Sequence, residues 1–462
     1  MRIADCFEKM DVTGSINNED LIEAVENEED VDYSEERELV EDSCSTKVLD
    51  TCEEPRDRYC IVYILFYLFG ISSLVPWNFL ITANDYWMYK FRDVEPKNLT
   101  MYVRKTQFQA EFTSYLNVAT AIPNLIFLIL NSLYGHWVSM RSRLQGALII
   151  VTLSLLVTTS FVQVDTDQWQ NTFFIITIVT VVIMTAASAV FIGCLVGIAS
   201  KFSKEYMAAV VSGQSLGGII AAIAQIISLA FKISPLHSAL IYFCIADIMV
   251  VLSLISYVLL YKIDFFTYHI LRGSGGMATN RHREASMLGI LRKIWVYAFS
   301  IFAVFGISMA VYPAVTVLVE SHPVTAGTDW NNIFFVPVVN YLIFNCGDYS
   351  GRLVAGFLLR PNNQWVIAGA SILRIIGVPM LMLCNAQPRK HLPVVFLWDY
   401  EYILIMIVFA FTNGYLTNIV MINSTRVVEM HEREKASSVV ATMLSVGLTV
   451  GAAVGMLLVR LL

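Results

Sequence analysis

Apolar residues fall along this chain in long runs separated by short polar breaks, and the runs have the length that crosses a bilayer as a helix, about 20 residues. They lie near 60–83, 112–131, 144–163, 172–199, 207–231, 237–261, 294–319, 333–358, 365–385, 402–423 and 436–460, which predicts eleven transmembrane helices. The longest internal polar stretch, 262–293 with RGSGGMATNRHRE, follows the sixth run. It divides the body into a six-helix bundle, 59–261, and a five-helix bundle, 294–462. The predicted fold is therefore an all-α polytopic membrane protein. Two bundles around a central cavity is a common transporter plan, although no sequence repeat links the halves.

Composition sharpens this picture. The 462 residues are 56% hydrophobic and 15% charged, where a soluble domain carries roughly a quarter charged. The net charge of −7 is unevenly spread. Residues 1–58 hold 20 Asp/Glu against 6 Lys/Arg, a net of −14, and the remainder is basic by +7. The acidic segment lacks apolar periodicity and reads as a disordered tail, a place for sorting adaptors to bind. Lys/Arg near the run ends number sixteen on the side that includes the N-terminus and nine on the other. The expected topology is therefore N-terminus cytosolic and C-terminus outside. The sequon at Asn98 then lies in the first outer loop, open to glycosylation. Eight cysteines without CxxC spacing suggest neither a zinc site nor a disulfide framework. No Walker loop, HExxH or nucleophile elbow points to an enzyme or a pump, and no cofactor or metal is implied.

Polar groups inside the runs are costly and therefore informative. Charged side chains at this depth cost on the order of 3 kcal/mol each on insertion scales. Asp348 and Arg352, in NCGDYSGR of run eight, are four apart and share a helix face. Either they form a structural ion pair, or they make a polar clamp for hydroxyls of a sugar-like solute. Arg374 suits a role in bridging helices or bonding freed carbonyls, and Asp247 suits a hydroxyl partner across its bundle. Gly213 and Gly217 in SGQSLGG, and Gly447, Gly451 and Gly455, have the spacing of close helix contacts. Gln214, among the first of these, is expected to bond across the bundle. In run one, Pro76, Trp77 and Asn78 stand together. A proline frees a carbonyl and an amide can bond it, which membrane helices tolerate where they line a cavity.

The motifs PWNFLITANDYW, SGQSLGG, YPAVTV, FNCGDYSGR, RIIGVPMLMLCNAQPRKHL and FAFTNGYL, in this order from about Arg56 to Leu462, resemble the equilibrative nucleoside transporters. The run DRYCIVYILFYLFGISSLVPWNFLITANDYWMYK is especially similar to the lysosomal branch of that family. The resemblance implies a bundle related to the major facilitator fold that moves purine and pyrimidine nucleosides down their gradient by alternating access, with the bilayer and the solute as its partners and no nucleic acid. It implies that Trp77 packs near the nucleoside, with Leu74 and Ile81 beside it. Asp348 and Arg352 would meet the ribose, and Tyr312, Tyr341, Asn345 and Leu448 would line the cavity. Asn413, in FAFTNGYL, and Arg374 would serve structure or gating. One departure stands out. Where plasma-membrane members carry a glutamine that bonds the base, this chain has Ile192, so base recognition is looser or moved to Gln214 or Asn124. Ser188 replaces a glycine associated with tight binding of thioinosine inhibitors. The family's organic-cation branch carries tyrosine for Trp77 and glutamate for Gln214, so both positions side with nucleosides. The expected residence is the plasma membrane, with the lysosomal membrane, and a proton-coupled exporter, as the alternative.

Overall fold

A computed structural model of the chain describes residues 55–92, 107–278, 287–322, 327–358, 361–387 and 392–462. The acidic tail up to residue 54, the sequon at Asn98 and the RHRE stretch lie outside the described residues. Helices follow the apolar runs: α1 (Ile61–Thr82), the short α2 (Asn84–Lys90), α3 (Gln107–Tyr134), α4 (Met140–Gln163), α5 (Gln170–Ala199), α6 (Lys204–Ala230) and α7 (Pro235–Leu260). After these come α8 (Asp264–Ala278), α9 (Met287–Val311), α10 (Phe344–Leu358), α11 (Gln364–Leu373), α12 (Gly377–Met382), α13 (Asp399–Arg426) and α14 (Arg433–Leu461). Among the described residues, nine helical segments are by themselves long and apolar enough to cross a membrane. The second run is α3, whose apolar part is the shorter Val118–Tyr134. The eighth is composite: π-wound turns, Trp330–Phe334 and Val336–Ile343, run into α10. Pro337 cannot donate within that ladder, and the backbone adopts wide turns there. The eleven-span reading is compatible with this arrangement. α8 occupies the segment read as a polar loop.

Local chemistry sets the helix ends. Ser139 caps α4 by accepting from the Ser142 amide at 3.2 Å. Ser234, followed by Pro235, caps α7 through the His237 amide; serine before a first-turn proline is a strong start signal. α1 ends six residues after Pro76, and the chain turns at Ala83 into α2.

Glycines decide which helices pair most closely. At Gly70 and Gly213 the backbones of α1 and α6 touch, and a Cβ on either would enter the other helix's backbone. Gly217 lies against Ile71 one turn further on. The same device recurs in the second half. A Cβ on Gly447 would sit 2.6 Å from the Phe302 carbonyl oxygen, and Gly451 abuts Gly306, so α14 packs on α9 as α6 packs on α1. A structural repeat that the sequence does not display therefore relates α1 to α9 and α6 to α14. Contacts between the two halves follow that symmetry: α6 meets the eighth span and α14 meets α3.

Candidate functional site

We call the end at which α1 begins the lower end. Just below mid-height the two bundles meet around one carboxylate. Asp348 is 4% exposed and Arg352 5%. Arg352 donates from Nε to Asp348 Oδ2 at 2.8 Å. Its Nη1 reaches across to α6 and donates to the Val211 carbonyl at 2.6 Å. Asp348 also accepts from the Ser215 hydroxyl of α6, and its Oδ1 accepts from Asn413 Nδ2 of α13 at 2.7 Å. Asn413 in turn accepts from Ser308 of α9 at 2.7 Å, and Asn418 donates to the Arg352 carbonyl at 2.6 Å. Two buried charges thus have direct opposite partners and several neutral dipoles, the arrangement under which a buried pair is tolerable. Gly414 makes it possible, because a Cβ there would overlap the Asp348 carbonyl oxygen. The ring hydroxyl of Tyr67 donates to Tyr349 at 2.9 Å, a further bond between halves.

Above this layer lies a ring of half-buried side chains. Asn345 presses on Gly218 and donates to the Tyr341 carbonyl at 2.9 Å. Tyr312 stacks on Phe344, with ring centroids 3.7 Å apart and planes 10° from parallel. Leu74, Trp77 and Ile81, on the upper half of α1, are all half-buried, and Trp77 packs against the larger apolar core, which both bundles share. Seven residues separate Trp77 from the Gly70–Gly213 contact, and Ser215 lies two residues above that contact. At 1.5 Å per residue, the indole stands about 8 Å higher along the axis than the Asp348 layer, close to the length of a nucleoside. Asn78 holds its place through its backbone, its carbonyl accepting from Thr82 at 2.8 Å. Gln214 and Leu448 are also half-buried. Each directly follows the first glycine of its motif, so the repeat makes them counterparts.

Ile192 is half-buried on α5, and the adjacent Gly193 abuts Asn131 of α3. Arg374 borders the Asp348 layer without bonding Asp348, donating to the Val304 and Phe409 carbonyls, one turn from Ser308 and Asn413, at 2.9 and 3.1 Å and to Thr412 at 3.2 Å. Asp247 accepts from Thr159 of α4 at 2.7 Å, within one bundle.

The lower end carries a second layer that sequence reasoning missed. Glu434, at the start of α14, faces Arg143 at 3.6 Å and Lys201 at 3.4 Å, both from the first half. Lys293 pairs with Glu432 at 2.7 Å. Between the layers Leu128, Ala189 and Ala441 form an apolar contact joining α3, α5 and α14. In sequence Glu434 is one charge among several in HEREK, with nothing to mark it. Ser215, in contrast, lies inside SGQSLGG, one residue from Gln214, and that motif was the available signal.

Two helical bundles, joined by polar contacts through the middle and by ions at one end, make a fold of the major-facilitator type. Solved structures agree on this fold. A proton:xylose symporter of the major facilitator superfamily superposes with a TM-score of 0.56 at 12% identity, covering 86% of this chain and 87% of that one. The transporter FucP in its outward conformation gives 0.50 at 12%, covering 87% and 98%. The chain belongs to the nucleoside transporter family, whose model matches residues 178–289 and 272–460. It is 30% identical to rat equilibrative nucleoside transporter 1 over 89% of this chain and 99% of that one. It is 30% identical to the human protein of that name over 87% and 98%, and 28% identical to rat equilibrative nucleoside transporter 3 over 88% and 90%. Identities this close to one another do not single out a branch.

Proposed function

We propose that this protein is a facilitative transporter of purine and pyrimidine nucleosides, such as adenosine and uridine, working by alternating access. The observation that carries the reading is the Asp348–Arg352 pair, buried between the halves of a chain whose full-length relatives are equilibrative nucleoside transporters. The moving units are 59–261 and 294–462, joined through 262–293. Asp348 receives a serine hydroxyl from the opposite half. A ribose offers two vicinal hydroxyls that substitute for it, one donating to Asp348 and one accepting from Arg352. Such a substitution removes a bond between halves while leaving both charges solvated by hydroxyls. Binding of the solute then favours release of the closed layer through its differential contacts with the two states. Trp77 supplies the wall for the base, with Leu74, Ile81, Tyr312, Tyr341, Asn345 and Leu448 around it. The protein resides in the plasma membrane with its lower end in the cytosol, where Glu434 and its cations close the path.

Uptake of labelled uridine and of its 2′,3′-dideoxy analogue into vesicles tests this reading. Uridine should be taken up in the absence of ATP and the dideoxy analogue rejected. Equal transport of the two would remove the ribose clamp, and failure to transport any nucleoside would remove the function.

A further inference from the structure

Asn340, in the wide-wound part of the eighth span, is an amide that the fold buries without a hydrogen bond. It is 1% exposed, and neither its Nδ2 nor its Oδ1 has a partner among the described residues. Among those residues no other side chain has two polar atoms both buried and unpaired. Burial of a bare amide is costly, and folded proteins leave few of them. One that stands beside a solute path points to a partner outside the chain. The contacts Arg352–Val211, Asp348–Ser215 and Asn345–Gly218 show the eighth span descending as α6 climbs. Asn340 is therefore above Asp348, by eight residues or about 10 Å, near the height of Trp77 on the opposite half. Its segment, Val336–Ile343, packs on α6 and is wound in the wide turns that often mark functional sites. In α winding residue 340 stands over Phe344, and in the wider winding it moves toward Asn345. Phe344 carries the stack with Tyr312 and Asn345 presses on Gly218, so residue 340 keeps to the cavity side in either winding.

We propose that Asn340 hydrogen-bonds the edge of the nucleobase whose face lies on Trp77. The proposal rests on the nucleoside reading above and adds a specificity-determining residue to it. A carboxamide holds donor and acceptor groups in one plane. Against adenine they meet the 6-amino group and a neighbouring ring nitrogen, a match that asparagine also makes with adenine in DNA. Turned over, the same amide meets the N3–H and a carbonyl of uracil. A single asparagine thus admits purines and pyrimidines alike, while Ile192 on α5 offers no hydrogen bond. Because the amide is covered in this structure, the contact forms as the base enters, through movement of the wide turns. Among the described residues nothing competes for the amide, so the new bonds cost no internal one.

Inhibition of uridine uptake by adenosine and by purine riboside, which lacks the 6-amino group, supplies the test in vesicles carrying the full-length protein. The wild type should favour adenosine by about five- to a hundredfold, the worth of pairing a buried Oδ1. Asn340→Leu puts an apolar group of similar shape in place of the bare amide. It should melt no lower than the wild type, bring the ratio near one, and still reject 2′,3′-dideoxyuridine. The smaller Asn340→Ala should lose the preference in the same way. A preference that survives in either variant overturns the proposal, as does a wild type that shows none. Misfolding of both variants overturns it too, since the amide would then be bonded within the fold. Absence of uridine uptake by the wild type would instead strike the reading beneath.

Discussion

Neutralising Asp348 separates a solute-binding carboxylate from a structural one. In Asp348→Asn the Arg352 guanidinium, 5% exposed, loses the carboxylate that now lies 2.8 Å away and keeps the Val211 carbonyl. Removing one partner of a buried pair costs about 3–5 kcal/mol, a large part of the stability of most folds, so the single variant should reach the surface poorly. Asp348→Asn with Arg352→Gln leaves two neutral amides able to bond Ser215 and Val211, and should restore expression. Transport should not return with it. Each hydroxyl contact to a charged group is worth about 1.5–3 kcal/mol, and losing two lowers the affinity for uridine by roughly a hundred- to ten-thousandfold. The assay is uridine uptake normalised to surface protein, with size-exclusion profiles of both variants. A double variant that recovers both expression and uptake would refute the clamp and leave a brace between helices.

Three further outcomes follow from the geometry. Glu434→Gln removes two ion pairs, at 3.6 and 3.4 Å, from partly screened positions; the loss, about 1–2 kcal/mol in total, shifts the equilibrium five- to thirtyfold toward an open lower end. Faster alkylation of a cysteine introduced at buried Ser438 would register it, and an unchanged rate would mean that Glu434 does not hold the halves together. Gly414→Ala should prevent accumulation of folded protein, since its Cβ would overlap the Asp348 carbonyl oxygen, whereas Gly146→Ala, with open space around it, should behave as wild type by thermal unfolding. Trp77→Ala should raise the apparent KM for adenosine about ten- to a hundredfold, if stacking is worth the roughly 1–3 kcal/mol it contributes to bases on aromatic rings elsewhere. Trp77→Phe should retain part of it, and an unchanged KM in Trp77→Ala would make the indole a packing residue.

Much of this architecture is legible in the sequence because a bilayer leaves few options. Unpaired backbone groups are forbidden in hydrocarbon, so run length alone locates the helices. The i, i+4 spacing places Asp348 beside Arg352, and glycine spacing marks α6 and α14 as close-packing helices. What sequence does not show is helix rotation. Whether Ser215 or Gln214 faces Asp348, or whether Asn413 meets Ser308, depends on angles between helices far apart in the chain. The repeat is hidden for a related reason: its halves share glycine positions and little else, so only contacts reveal it. Glu434 is invisible because a charge among charges gains its role from Arg143 and Lys201, some 290 and 230 residues away along the chain, through tertiary structure alone. The wide turns at 330–343 interrupt a run whose composition reads as an ordinary helix.

Counterflow in proteoliposomes bears most directly on facilitative nucleoside transport by this chain. Vesicles containing the purified protein and loaded with unlabelled uridine should take up labelled uridine faster than empty ones, overshoot transiently, and settle at equal concentrations inside and out without ATP or an ion gradient. Sustained accumulation that requires a proton or sodium gradient, or the absence of any counterflow with uridine and adenosine, would contradict it.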